Sequence, residues 1–219
     1  MDMGTVVIAI DGPAASGKSS VASRVAARLG YAFVNTGAMY RAAAWAVVDG
    51  GVDPTDSGAV VAAAGAVGLG FEEGRSFVRC GERRLEAELV LEAVNGMVSK
   101  VAAHPGVRER LVAMQREAAR GRDVVMEGRD IGSVVFPDTP YKLYIDASEE
   151  VRQSRREKQG IVDSVASRDR QDSARKASPL VVASDARVID SSEMTLEEVV
   201  CEALRCLGER GLEAARRVS

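Results

Sequence analysis

Residues Val6–Gly30 read VVIAIDGPAASGKSSVASRVAARLG, and this stretch decides the fold. Val6 to Ile10 are apolar and mostly β-branched, the pattern of a strand covered on both faces. The run passes into glycines, a lysine and two serines, and then into a helical pattern. Gly12-Pro13-Ala14-Ala15-Ser16-Gly17-Lys18-Ser19 matches G-x-x-x-x-G-K-[ST] in full. Glycines at both ends let the backbone curl so that its N–H groups converge on an oxyanion, beside the positive end of the following helix. In such a loop Lys18 reaches the β- and γ-phosphates, Ser19 (with Ser20 behind it) offers a hydroxyl, and Mg²⁺ accompanies the phosphates. A glycine-rich turn with a surface lysine is the competing reading. The placement between a strand and a helix favours a loop that holds a nucleoside triphosphate.

Outward from this loop, YAFVN (Tyr31 to Asn35), DVVMEG (Asp123 to Gly128), YKLYID (Tyr141 to Asp146) and ARVID (Ala186 to Asp190) read as further buried strands. The helices between them carry cap signals at Thr36, Ser148 and Thr195. Strands alternating with helices predict an α/β fold, a five-stranded parallel sheet with helices on both faces. Val67 to Leu85 breaks the rhythm with two alternating runs around Glu73-Gly74, a hairpin signal. The expected organisation is one unit over residues 1–219, built around the phosphate loop. Its core is 1–58, 105–147 and 176–219, with a small antiparallel β insert at 59–104 and a lid region at 148–175.

The chain's 219 residues include 46% hydrophobic and 28% charged residues, which excludes wholesale disorder. A net charge of −3 gives no basic footprint for nucleic acid. No apolar run reaches the length of a membrane span. The opening MDMGT lacks the regions of a signal peptide, so a cytoplasmic location is expected. No exposed apolar heptad asks for a partner, and a monomer is expected. Three cysteines, Cys80, Cys201 and Cys206, lack metal-ligand spacing. His104, the one histidine, stands before Pro105 as a turn residue, so histidine-based nucleophilic catalysis has no support.

A P-loop alone fits a GTPase switch, a motor or a kinase. No N-K-x-D guanine reader is present. A kinase needs a second anion site, and arginine-bearing segments supply candidates. In VNTGAMYR, Thr36 and Arg41 lie at a helix start, where hydroxyl, N–H groups and guanidinium suit a phosphate monoester; Arg41 alone reads equally well as a solvated residue. EGRDIGSVVFPD puts Arg129 and Asp130 just after a strand, where such folds bind ligands, although adjacent opposite charges can also be a structural pair. SRDRQDSARKASPL gathers Arg168, Asp172 and Arg175 at helical spacing, which taken alone reads as an ion-paired surface helix.

IDGPAASGKSS, NTGAMYR, SKVAAHPGVRERL, EGRDIGSVVFPD, KLYIDAS, SRDRQDSARKASPL and ARVIDSS together resemble the bacterial cytidylate kinases, members of the P-loop nucleoside monophosphate kinase group. The matching pieces run in family order from Val6 to Ser192. The resemblance implies transfer of the γ-phosphoryl group of MgATP to CMP or dCMP. Residues 12–19 and Ser20 would hold ATP, with Lys18, Arg129 and Arg175 acting at the transferred group. Thr36, Arg41, Arg129 and Arg175 would grip the acceptor phosphate. Ser99, Arg108 and Asp130 would read the base, and Arg168 and Asp172 the ribose. The family pattern has Ser where this chain has Thr36, which keeps the hydroxyl. The segment between Ser148 and Arg168 is shorter than in the family, giving a shortened lid. Arg152, Arg155 and Arg156 lie at i, i+3 and i+4 and either present one basic face, Arg155 and Arg156 reaching ATP, or are solvated. Glu127, ending a strand beside the phosphate loop, is the candidate for holding a metal-bound water, and Ser19 the candidate metal ligand. The alternatives are a nucleotide-dependent switch or binding module, or a kinase for another small acceptor.

Overall fold

A computed structural model describes residues 5–158 and 181–216. These form two compact units, one drawn from Met1–Phe33 and Gly121–Ser219, the other from Val34–Arg120.

The first unit is built on strands in the order β2-β6-β1-β7-β8: β1 Val7–Asp11, β2 Ala32–Asn35 (which spans the division between units), β6 Val124–Gly128, β7 Tyr141–Asp146 and β8 Arg187–Asp190. Both β6 and β7 run parallel to β1, and β8 runs parallel to β7. This is the α/β architecture expected from the apolar runs, although among the described residues the sheet counts eight strands rather than the five expected. Ile8 and Ile10 on one face join Val125, Leu143, Ile145 and Ile189 in a core sealed by α1 (Lys18–Leu29) and by the last long helix, Leu196–Glu209. Ala9, Val124 and Met126, which point the other way, are also fully buried. A strand buried on both faces needs apolar residues at every position rather than every second one, which is why VVIAI shows no alternation. Thr195 caps the last helix in a capping box with Glu198. Ser148 accepts from the Val151 N–H at 3.3 Å, capping Glu149–Lys158.

The second unit is organised around α2 (Thr36–Asp49). Its alanines and Met39, Trp45 and Val47 pack with Val60 and Ala64 of α3 (Ser57–Ala64), Val94 and Val98 of α4 (Glu92–Ala102), and Val107 and Leu111 of α5 (Pro105–Ala118). The hairpin expected around Glu73-Gly74 is present: β3 Val67–Glu72 pairs antiparallel with β4 Arg75–Cys80, and β4 with β5 Arg83–Leu85. Both turn residues have positive φ, 47° and 73°, the twist that joins two strands through two residues.

One cap differs from expectation. Asn35, not Thr36, caps α2: its backbone is extended, and its side chain accepts from the Ala38 N–H at 2.9 Å. Thr36 is already the first helical residue, so its hydroxyl is not spent on the cap. His104 ends the connection into α5, its ring nitrogens near Ser57 Oγ and the Pro54 carbonyl, as a turn residue should. Of the cysteines, Cys206 is buried, Cys80 half-buried and Cys201 exposed. Among the described residues no group of His, Cys, Asp and Glu could hold a metal ion on its own, and no helix is long and apolar enough to cross a membrane.

Candidate active site

The site begins where β1 stops. A Cβ added to Gly12 would stand 2.1 Å from the backbone oxygen of Ile145, so only glycine lets the chain leave the sheet here. Ala15 and Gly17 take positive φ (59° and 88°), completing the curl, and the N–H groups of Ser20 and Val21 close the first turn of α1 on the Gly17 carbonyl. The loop's carbonyls are held by cations. Lys18 Nζ donates to Pro13 O at 3.1 Å, Arg129 Nη1 to Gly12 O at 3.0 Å, Arg152 Nη1 to Ala14 O at 3.3 Å and Arg155 Nη1 to Ser16 O at 3.1 Å. Four carbonyls of the loop thus turn their oxygen ends toward positive charge, which orients the peptide dipoles and raises the field that an anion meets at the amide ends.

Of the expected loop residues, Gly12, Pro13, Ala14, Ser16 and Lys18 are buried, Ala15 and Gly17 half-buried, and Ser19 and Ser20 exposed. The hydroxyl of Ser16 is buried with no hydrogen-bond partner among the described residues. A buried, unsatisfied hydroxyl in a glycine-built curl fits a phosphate oxygen, because leaving it unpaired costs free energy. Ser19 Oγ donates to Glu127 Oε1 at 2.9 Å, and Glu127 is buried at the end of β6, in register with Ile10. A hydroxyl and a carboxylate side by side form a hard-oxygen set that suits Mg²⁺ with its retained waters.

The helix Glu149–Lys158 does present one arginine face, and it is not solvated. Arg152 and Arg156 are buried and Arg155 is half-buried, while Ser154, Glu157 and Lys158 face water. Besides the loop, Arg152 holds Ala147 O at 3.0 Å, and Arg155 holds Ser191 Oγ at 3.1 Å and Ser191 O at 2.8 Å. Ser191 Oγ in turn lies 3.1 Å from Ser16 O. Arg129 is half-buried and Asp130 buried, both immediately after β6.

In the second unit, Thr36 is buried at the start of α2, and Arg41, half-buried one turn on, folds back so that a Cβ on Gly37 would stand 3.1 Å from its Nη1. Ser99 is half-buried on α4. Arg108 is buried on α5 with its guanidinium 5.5 Å from the centroid of the Tyr40 ring, a cation–π contact. Arg168, Asp172 and Arg175 lie outside the described residues.

Two residues of this site are not singled out by sequence pattern. Ser191 is one; the other is Asp11, the last residue of β1. Its carboxylate accepts from the Ile131 N–H at 2.9 Å and the Gly132 N–H at 2.8 Å. Burial pushes its pKa up to about 7, against the two amide donors and the Lys18 charge, with Asp130 adding to the rise. The only signal in the sequence is a carboxylate ending an otherwise apolar buried strand.

The fold and the phosphate loop define a P-loop kinase. Over 99% of its length the chain superimposes on a gluconokinase from Sinorhizobium meliloti 1021 (98% of that chain, TM-score 0.52) at 16% identity, a likeness of fold alone. Residues 8–209 match the family model described as cytidylate kinase. The chain is 41% identical over 220 residues to the cytidylate kinase of Mycobacterium leprae (95% of this chain, 98% of the relative) and 44% identical over 207 residues to that of Pelotomaculum thermopropionicum (88% and 92%). The chain belongs to the cytidylate kinase family.

Proposed function

We propose that this chain transfers the γ-phosphoryl group of ATP to the phosphate of CMP or dCMP, forming ADP and CDP or dCDP, with Mg²⁺ as the accompanying cation. The observation that carries the reading is the convergence of Lys18 and Arg129 on the backbone of one phosphate loop in a member of this family.

The acceptor phosphate oxygen is itself the nucleophile, so no catalytic base is needed. Rate then comes from alignment and from positive charge around the developing equatorial oxygens. Lys18 provides the central charge on the donor side. Arg129 provides the charge nearest the loop from the acceptor side, with Arg175 as its expected companion. Ser19 and Glu127 are the residues that would hold Mg²⁺, Glu127 through water. When bound, that ion would neutralise the β- and γ-oxygens. Thr36 and Arg41 bind the acceptor phosphate in this reading, and Arg168 and Asp172 the ribose. Ser99, Arg108 and Asp130 read cytosine, whose N3 accepts and whose N4 donates. A guanidinium with a carboxylate complements that pair. Uracil reverses both groups and leaves buried polar atoms unpaired, at about 1–3 kcal/mol each. Residues 59–104 serve as the monophosphate-binding insert and 148–175 as a short lid that excludes water. The enzyme works in the cytoplasm as a monomer. The test is an ADP-release assay with CMP, dCMP, UMP and AMP as acceptors. Strong preference for CMP or dCMP is expected, and equal rates with UMP or AMP would overturn the base-reading assignment.

A further inference from the structure

The turn that carries Arg129 and Asp130 runs directly into a tight π-type turn, Ile131–Val135, closed by Phe136 N–H on Ile131 O at 2.8 Å. Such turns are rare and leave their first N–H groups without internal partners. Here both leading donors, Ile131 and Gly132, are taken by the two oxygens of one carboxylate, Asp11. Asp11 belongs to a different strand and is fixed in turn by its register, with Gly128 on one side and Tyr144 on the other. The turn has no slack on its far side either. A Cβ on Gly132 would stand 3.1 Å from the aliphatic carbons of Lys142 and 3.4 Å from Asp11 Oδ2.

We infer that Asp11 is a positioning residue for the acceptor side of the reaction: by gripping the amides of Ile131 and Gly132 it fixes the direction in which Arg129 and Asp130 leave the chain, without touching either substrate. This rests on the reading of Arg129 and Asp130 as acceptor-binding groups. Asp11 is also the residue joined directly to Gly12, whose carbonyl receives Arg129. One residue therefore sets the spacing between the phosphate loop and the arginine that approaches it. An amide in its place would keep one acceptor but turn an NH₂ donor toward a backbone N–H, so Asp11→Asn is the informative change.

In Asp11→Asn, the KM for CMP should rise about tenfold while the KM for ATP stays within about twofold, since a misplacement of about 1 Å is costly only for the group displaced. The amides of Ile131 and Gly132 should exchange faster with deuterium. Combined with Arg129→Lys, the loss in kcat/KM for CMP should be clearly less than the product of the single losses, because Asp11 acts through Arg129. If Asp11→Asn fails to fold, Gly132→Ala displaces the same turn from its other side and should raise the KM for CMP about threefold with the KM for ATP unchanged. An equal rise in both KM values, unaltered exchange at Ile131 and Gly132, or full additivity with Arg129→Lys would overturn the proposal. The underlying reading fails separately: Asp130→Asn leaving the CMP-over-UMP preference intact would reject Asp130 as base reader, while the exchange and additivity measurements still decide the role of Asp11.

Discussion

Arg129 donates from Nη1 to the carbonyl oxygen of Gly12 at 3.0 Å, across 117 residues of sequence. The cation that follows β6 and the residue that opens the phosphate loop are thereby a single structural unit. Replacing Arg129 by Ala should lower kcat for CMP phosphorylation about 10²–10³-fold, the usual cost of removing one preorganised donor from a developing charge. Arg129→Lys should recover little, because a point charge cannot hold the carbonyl and face a phosphate at once. Steady-state rates at saturating ATP would show this; a Lys variant with wild-type kcat would refute it.

Lys18 is buried with its ammonium on Pro13 O. Lys18→Ala should remove most turnover, about 10³-fold or more, since the charge is needed chiefly in the transition state. Calorimetric CMP binding should stay largely intact. Loss of both together would show that donor and acceptor sites are not separate.

Asp11 gives a pH signature in stability. Its carboxyl, pushed up to about 7 by burial and by Asp130 against the two amide donors and Lys18, binds a proton in the folded state below that pH, whereas the unfolded chain releases it near pH 4. Its contribution is therefore complete below about pH 4 and is lost as pH rises through 7. Between pH 5 and 8 the unfolding free energy of the wild type should fall by about 2 kcal/mol relative to Asp11→Asn. Parallel urea titrations of the two proteins would measure it; parallel pH curves would contradict it.

Gly12→Ala should fail for steric rather than chemical reasons. With a Cβ 2.1 Å from Ile145 O, backbone must move, and a loss of about 3 kcal/mol is expected, lowering Tm by about 6–12 °C. Nucleotide should no longer raise Tm. A variant that melts like the wild type and still gains stability from ATP would show that the loop tolerates the shift.

Thr195→Ala serves as a remote control. It removes one half of the capping box with Glu198 and should cost about 1 kcal/mol in denaturant unfolding with kcat and both KM values unchanged.

What could be read from the sequence is what is local or periodic. The phosphate loop is contiguous, so spacing alone fixes its curl, its lysine and its place between strand and helix. Strands β1, β6 and β7 announce themselves because burial on both faces demands unbroken apolar runs, and the hairpin because Glu73 and Gly74 tolerate positive φ. The cap at Asn35 was one position from the expected Thr36, since both residues can cap and only backbone geometry chooses. Whether Arg152, Arg155 and Arg156 were solvated or engaged was open at helical spacing. Tertiary structure decided it by laying Arg152 and Arg155 against the loop's carbonyls, where a charge is stabilised by oriented dipoles rather than by water, and by burying Arg156 beside them on the same helix. The Asp11 bonds to Ile131 and Gly132 close over 120 and 121 residues. No local pattern encodes such a contact, because it exists only once β1 and β6 are paired in register and the carboxylate at the end of one meets the turn beyond the other.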